Sequence, residues 1–247
     1  MGPGSTSIVD TMYSPRAQAI NQFLALVLIV AFVIVLTIKV GLPFTIIVGG
    51  SAIIGFFCWR ATNLRRAITP TTTAVLFLLT TAALHTHMYE EHNALFGPAM
   101  SRLFGIAVPD ERFLAIFVFA LPVVYYLTAI GLLLRVPLAG FVAWFIFIGP
   151  GIAEFTHFIF PLITPALDPT NAAPISSMVK GVYVEGMQNH HLALTGRYYF
   201  PGLYTAVLPM IPGICSVWWL FRSRAGRRES SSLDVAAARA LGRPEVA

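Results

Sequence analysis

Histidine and glutamate are concentrated in three short segments of this 247-residue chain, which together contain all six histidines. The segments run from His85 to His92, from Glu154 to His157 and from Glu185 to His191. The chain as a whole is 57% hydrophobic and only 11% charged. Ionisable groups are costly in apolar surroundings and are usually kept there for a function. These segments are therefore the candidates for a functional site.

The spacing of these residues favours metal binding. His87, Glu90 and Glu91 are spaced i, i+3 and i+4, which places them on one face of a helix. Glu154 and His157 are spaced i, i+3 in the same way. A Glu-x-x-His helix that faces a second acidic helix is typical of carboxylate-bridged dimetal sites in helical bundles. The predicted metal ligands are His87, Glu90, Glu91, Glu154, His157, Glu185, His190 and His191.

Eight candidate ligands suit two divalent ions and are too many for one tetrahedral ion. Because no cysteine joins them, the set favours iron, manganese or zinc over copper(I). Iron, the metal we favour, predicts an enzyme that oxidises a lipophilic substrate and needs an electron donor. Zinc would instead activate water, with a free glutamate as base, and predicts a membrane hydrolase.

Other interpretations stay open at this stage. A Glu/His pair without metal could move protons, as in an isomerase. A transporter is a further alternative, although the sequence shows no internal repeat of the kind many transporters carry. Glu185 could simply pair with Lys180. His190 and His191 are adjacent and should point apart, so at most one of them is expected to bind a metal strongly.

The elements that would position these residues are apolar helices. The mean hydropathy of +0.76 and several apolar runs of membrane-spanning length predict an all-α, polytopic membrane helical bundle. We predict six transmembrane segments: Ala19–Thr37, Pro43–Trp59, Thr72–Tyr89, Phe113–Leu134, Leu138–Phe160 and Pro201–Phe221. The less apolar segment Ser176–Thr195 is interpreted as a further helix, at the surface or dipping into the protein.

The domain prediction is one transmembrane unit, residues 19–221. Residues 1–18 precede it, and their start at Met1-Gly2-Pro3-Gly4-Ser5 looks like a cloning remnant. Residues 222–247 form a polar tail predicted to be cytoplasmic and disordered.

The distribution of positive charge predicts the orientation. With both termini in the cytoplasm, eleven of the sixteen Lys and Arg residues lie inside, in agreement with the positive-inside rule. We therefore expect a protein of the inner (plasma) membrane of a bacterium, with the three segments in the outer half of the bundle. The net charge of +5 is interpreted as contact with lipid head groups and not with nucleic acid.

The pentad His87-Met88-Tyr89-Glu90-Glu91 resembles the signature of the HXXEE-motif integral membrane protein family. Asn189-His190-His191, followed by Tyr199-Phe200-Pro201-Gly202, is similar to the second half of that family. The resemblance covers residues from about Thr72 to Phe221. It implies an integral membrane protein with an essential His/Glu site, and it brings no defined reaction with it.

Overall fold

The computed structural model describes residues 11–65, 69–106, 108, 114–167, 177–179, 182–184 and 192–240. Within these residues the regular secondary structure is helical apart from one short hairpin. The α-helices are α1 (Pro15–Lys39), α2 (Leu42–Ala61), α3 (Pro70–Asn93), α4 (Phe96–Phe104), α5 (Leu121–Leu133), α6 (Pro137–Ile146), α7 (Leu192–Thr195) and α8 (Val207–Ala240). Three of them contain or adjoin π-helical turns, at Thr45–Gly49, Leu114–Ala120 and Phe147–Ile152.

In the part of the chain that the structure describes, three helical segments are long and apolar enough to cross a membrane: α1, α2, and α6 together with its continuation to Leu162. Helix α5 and the Val207–Ser223 part of α8 are also apolar but shorter. Helix α3 is long, but threonine and histidine side chains make it less apolar. The described parts of all six predicted segments are largely helical, although Pro201–Ala206 forms turns, so the helical, membrane-type architecture is confirmed. The number of spans and the orientation stay predictions.

The segment Ser176–Thr195 differs from the helix that we predicted. Its described residues form two antiparallel strands, β1 (Ser177–Val179) and β2 (Val182–Val184), with Met178 opposite Tyr183. Among the described residues of this segment, only the last four, α7, are helical. Valine and tyrosine favour extended backbone, and in this segment that preference outweighs the helix interpretation.

Proline and serine fix where several helices begin. Pro15, Pro70 and Pro137 occupy the first turn of α1, α3 and α6, where the missing N–H removes no helical hydrogen bond. The Ser14 hydroxyl caps α1 by accepting a hydrogen bond from the Ala17 N–H at 3.3 Å. These starts lie within a few residues of the limits predicted from hydropathy.

Helices α2 and α6 pack closely in the core. A Cβ on Gly55 of α2 would lie 2.9 Å from the Phe145 backbone nitrogen of α6, so only glycine permits this approach. Each of the two buried tryptophans donates a hydrogen bond from its indole nitrogen. Trp59 Nε1 donates to the Pro137 carbonyl at 2.9 Å, and Trp144 Nε1 donates to Asn63 Oδ1 at 3.1 Å. The apolar interior therefore has its polar atoms satisfied here.

Helix α8 packs against α3 and against the π-helical turns that follow α6. It then continues to Ala240, into the polar segment that composition alone predicts to be disordered. The domain limits themselves stay a prediction. The contact between α3, α8 and the end of α6 matters most for function, because it joins two of the three His/Glu segments.

Candidate metal centre

Four predicted ligands meet between α3 and the segment after α6. His87 and Glu91 come from α3, and Glu154 and His157 come from the 3₁₀-helical turns Ala153–Phe158. One ligand atom from each residue lies within 4.8 Å of the others, which makes the group a potential metal site. Two segments more than sixty residues apart in sequence thus form one cluster, which we call the His₂Glu₂ cluster.

The four ligand atoms alternate between nitrogen and oxygen. Glu154 Oε2 lies 3.2 Å from His87 Nε2 and 3.0 Å from His157 Nε2. Glu91 Oε1 lies 3.6 Å from His87 Nε2 and 3.3 Å from His157 Nε2. Each carboxylate therefore approaches both imidazoles through their ε nitrogens.

The helical geometry after α6 explains why Glu154 and His157 point the same way. Pro150 lies within the π-helical turns Phe147–Ile152, and the chain then tightens into a 3₁₀-helix. A 3₁₀-helix has three residues per turn, so residues i and i+3 eclipse each other. The spacing of Glu154 and His157 therefore places both side chains on one line, facing α3.

Glycine lets this segment approach α8. A Cβ on Gly151 would lie 3.1 Å from the Gly213 Cα, and a Cβ on Gly213 would lie 2.8 Å from the Gly151 Cα. The two backbones therefore touch at a point three residues before Glu154. This contact fixes the distance between the 3₁₀ turns and α8. The groups that support the cluster lie just before α8.

A hydrogen bond on the far side of the ring fixes the tautomer of His157. His157 Nδ1 lies 2.7 Å from the Pro201 carbonyl oxygen. A carbonyl can only accept, so Nδ1 carries the proton and donates it. The neutral ring then presents the Nε2 lone pair to the cluster, as a metal-ligating histidine requires.

His87 is held in the same tautomer through a relay. The Thr205 hydroxyl donates to Glu90 Oε2 at 2.7 Å, which uses its only proton. The hydroxyl must therefore accept the hydrogen bond from His87 Nδ1, 3.0 Å away. The neutral His87 ring consequently also presents the lone pair of Nε2 to the cluster.

Glu90 lies outside the His₂Glu₂ cluster and binds the residues just before α8. Its carboxylate accepts from the Thr205 N–H at 2.8 Å, the Tyr204 N–H at 3.3 Å and the Tyr199 hydroxyl at 3.2 Å. Burial and the adjacent Glu90 carboxylate raise the pKa of Tyr199 to about 12, so the phenol stays protonated and donates. The prediction grouped Glu90 with Glu91, but the structure directs the two carboxylates to different partners.

Gly202 brings the chain between the two imidazoles. Its φ of +90° lies in a region that other residues rarely adopt. A Cβ at this position would lie 2.6 Å from His157 Cε1 and 2.7 Å from His87 Cε1. Both the backbone conformation and the close packing therefore require glycine at position 202, where the chain contacts both imidazole rings.

The cluster is nearly closed to solvent. The exposed fractions of the side chains are 0% for His87, 2% for His157, 8% for Glu91 and 16% for Glu154. Two carboxylates in such a site need positive charge nearby, because an uncompensated buried charge is strongly unfavourable. The His87 Nε2 atom is buried and makes no hydrogen bond to any described residue.

A single metal ion would satisfy these requirements. Metal–ligand bonds of about 2.1 Å place neighbouring ligand atoms about 3.0 to 3.4 Å apart on a tetrahedral or octahedral ion. Three of the four nitrogen–oxygen separations, 3.0, 3.2 and 3.3 Å, fall within these values, and the fourth, between His87 and Glu91, is slightly longer at 3.6 Å. A divalent ion would also neutralise the two carboxylates and give the orphaned His87 Nε2 a partner.

The other candidates are placed as follows. Glu185, His190 and His191 lie outside the described residues, so their predicted role stays a prediction. His85 is not part of the cluster, and its Nδ1 donates to the Thr81 carbonyl at 2.8 Å. Sequence reasoning missed the supporting roles of Thr205 and the Pro201 carbonyl; the only signal was their position just before an apolar helix.

No family model, curated protein or solved structure matches the chain. The resemblance to the HXXEE-motif family therefore stays a prediction, and the function must be argued from the site itself.

Proposed function

We propose that this chain is an integral membrane metalloenzyme that holds a divalent metal ion in the His₂Glu₂ cluster and acts on a lipophilic substrate. The observation that carries the proposal is the convergence of four buried acceptors. Both imidazoles donate through Nδ1 to the protein, so in their neutral forms both would direct the Nε2 lone pair at the two carboxylates. Four acceptors at this distance repel one another unless a cation lies between them.

Protons are the alternative cation. Two imidazolium rings could neutralise the carboxylates of Glu91 and Glu154, and this is the metal-free proton-transfer reading. That arrangement requires an N–H on His87 Nε2 that hydrogen-bonds to a carboxylate. His87 Nε2 makes no such bond within the described structure, although Glu154 Oε2 is 3.2 Å away. His157 Nε2, 3.0 Å from Glu154 Oε2, could donate in this way, so the metal content of the protein has to separate the two alternatives.

Iron is the metal we favour, with oxidation of the substrate as the reaction. Two histidines and carboxylates form the ligand type of non-haem iron oxygenases, which retain open positions for the reaction. Zinc hydrolysis is the second candidate, because zinc also binds histidine and carboxylate ligands and one glutamate could leave the metal to act as base. A second ion would need further ligands, for which Glu185, His190 and His191 are the proposed source.

The surroundings of Glu154 support a lipophilic substrate. Glu154 is the most exposed of the four ligands, and its neighbours Phe155 and Phe158 are 44% and 38% exposed. In an apolar helical protein these rings face lipid, so a substrate dissolved in the bilayer would reach the cluster past them. If iron is bound, the electron donor would be a membrane quinol for an outward-facing site in the bacterial inner membrane.

Metal content tests the proposal. Protein purified in detergent should carry about one ion per chain in this cluster, measured by elemental analysis after removal of loosely bound metal. Glu154→Ala and His157→Ala should each lose the ion, since water replaces a missing ligand poorly. Phe155→Ala, on the same 3₁₀ segment, is the matched control and should retain it. Full retention in both ligand variants would refute the proposed site.

A further inference from the structure

A buried tyrosine with an unpaired hydroxyl packs against α3, the helix that carries His87 and Glu91 of the His₂Glu₂ cluster. Tyr125 of α5 is 2% exposed. Its hydroxyl oxygen is buried and makes no hydrogen bond within the described structure. Buried hydroxyls are normally paired, and an unpaired one is unfavourable enough to need an explanation.

The packing around Tyr125 holds its ring in place. The ring packs edge-on against Phe77, with centroids 6.2 Å apart, and against His85, with centroids 5.6 Å apart. Both partners belong to α3, the helix that also carries His87 and Glu91. The ring is therefore fixed by the same helix that supplies half of the cluster.

Tyr125 lies next to the part of α3 that carries the ligands, because its ring contacts His85, two residues before His87. The Glu154 carboxylate is near enough to act electrostatically on the phenol. Glu154 is also the most exposed ligand and adjoins the lipid-facing rings that we assign to substrate entry. A substrate bound between the cluster and α5 would meet this unpaired donor.

We propose that Tyr125 is a substrate-binding residue whose hydroxyl donates a hydrogen bond to an oxygen atom of a lipophilic substrate held at the metal. The substrate class is thus an apolar molecule with a carbonyl or hydroxyl oxygen at the reacting end. This inference rests on the proposed function. It accounts for the buried hydroxyl, because a binding group must stay unpaired until the substrate arrives.

The test compares Tyr125→Phe with Tyr126→Phe. Tyr126 is the next residue of α5 but is 65% exposed, so it is a matched control. The protein is loaded with cobalt(II), whose visible spectrum reports on its ligands. The probe is dodecanohydroxamic acid, which combines an apolar chain with two metal-binding oxygens. Tyr125→Phe should weaken probe binding about tenfold, while Tyr126→Phe should change it less than twofold.

Thermal stability gives a second readout, because Tyr125→Phe should raise the melting temperature while it weakens probe binding. Removing an unpaired buried hydroxyl should raise the melting temperature of Tyr125→Phe by about 2–4 °C, with cobalt still bound. A structural hydroxyl would instead lower it, and that result would overturn the inference. Equal probe affinity in both variants would also overturn it while leaving the metal site intact. A wild-type protein that takes up no cobalt would refute the proposed function, and this inference with it.

Discussion

Gly202→Ala should damage the metal centre although glycine supplies no ligand. The added Cβ would lie 2.6 Å from His157 Cε1 and 2.7 Å from both His157 Nδ1 and His87 Cε1. Ordinary carbon contacts need about 3.5 Å or more. One methyl group would therefore push two rings by roughly 0.8 Å, and the chain would also have to hold alanine at a φ of +90°.

The size of the expected loss of metal affinity follows from how little metal–ligand distances can change. A ligand set keeps its ion only when distances stay within about 0.2 Å of the preferred values. A shift several times larger should remove one or both histidines from the ion. Loss of groups that orient metal ligands lowers affinity by roughly 10- to 100-fold, and we expect Gly202→Ala to reach the upper end. The overpacking should also lower stability by about 1–3 kcal/mol.

Competition with a chromophoric chelator measures this affinity on protein in detergent. Gly196→Ala is the matched control, because Gly196 also has a positive φ, +66°, but a Cβ there would meet nothing within 4 Å. Gly196→Ala therefore carries the backbone strain without the clash and should retain the metal. If the two variants bound metal equally well, the contact between Gly202 and the imidazoles would not support the centre.

Three further predictions concern the relay, the ligand face and the orientation. Thr205→Val should lower metal affinity about tenfold, because it removes the hydrogen-bond partner of His87 Nδ1. Thr205→Ser keeps the hydroxyl and should retain the wild-type affinity; equal metal affinities of the valine and serine variants would exclude the relay. His87→Ala should abolish metal binding and His85→Ala should not, as measured by metal content; equal losses would contradict the assigned helix face. A cysteine at Asn171, in a background without the native cysteines, should react with an impermeant thiol reagent in intact cells; labelling only after lysis would reverse the proposed orientation.

Helical spacing predicted each of the two ligand pairs of the site directly. The i, i+4 pair His87 and Glu91 and the i, i+3 pair Glu154 and His157 depend on local geometry, which sequence reveals. Their pairing across the bundle could only be suggested by topology. The apolar runs likewise located the helices, because burial in lipid or protein demands continuous apolar sequence.

The choice between Glu90 and Glu91 could not be predicted. Both share the face of His87, and which carboxylate joins the cluster depends on where the residues before α8 lie. Because the Thr205 and Tyr204 N–H groups point at Glu90, that residue supports the relay instead. Tyr125 could not be singled out for a similar reason, because Tyr125 and Tyr126 are adjacent in an apolar helix and differ only in their burial.

Locating the metal by anomalous X-ray scattering is the most direct test of the central claim. Data collected on either side of the absorption edge of the bound metal should give a peak bonded to His87 Nε2, His157 Nε2 and the carboxylates of Glu91 and Glu154, at about 2.0–2.2 Å from each. A peak at this position would confirm the centre and identify the ion. Its absence in protein that contains stoichiometric metal, or a peak bonded to other residues, would contradict the account.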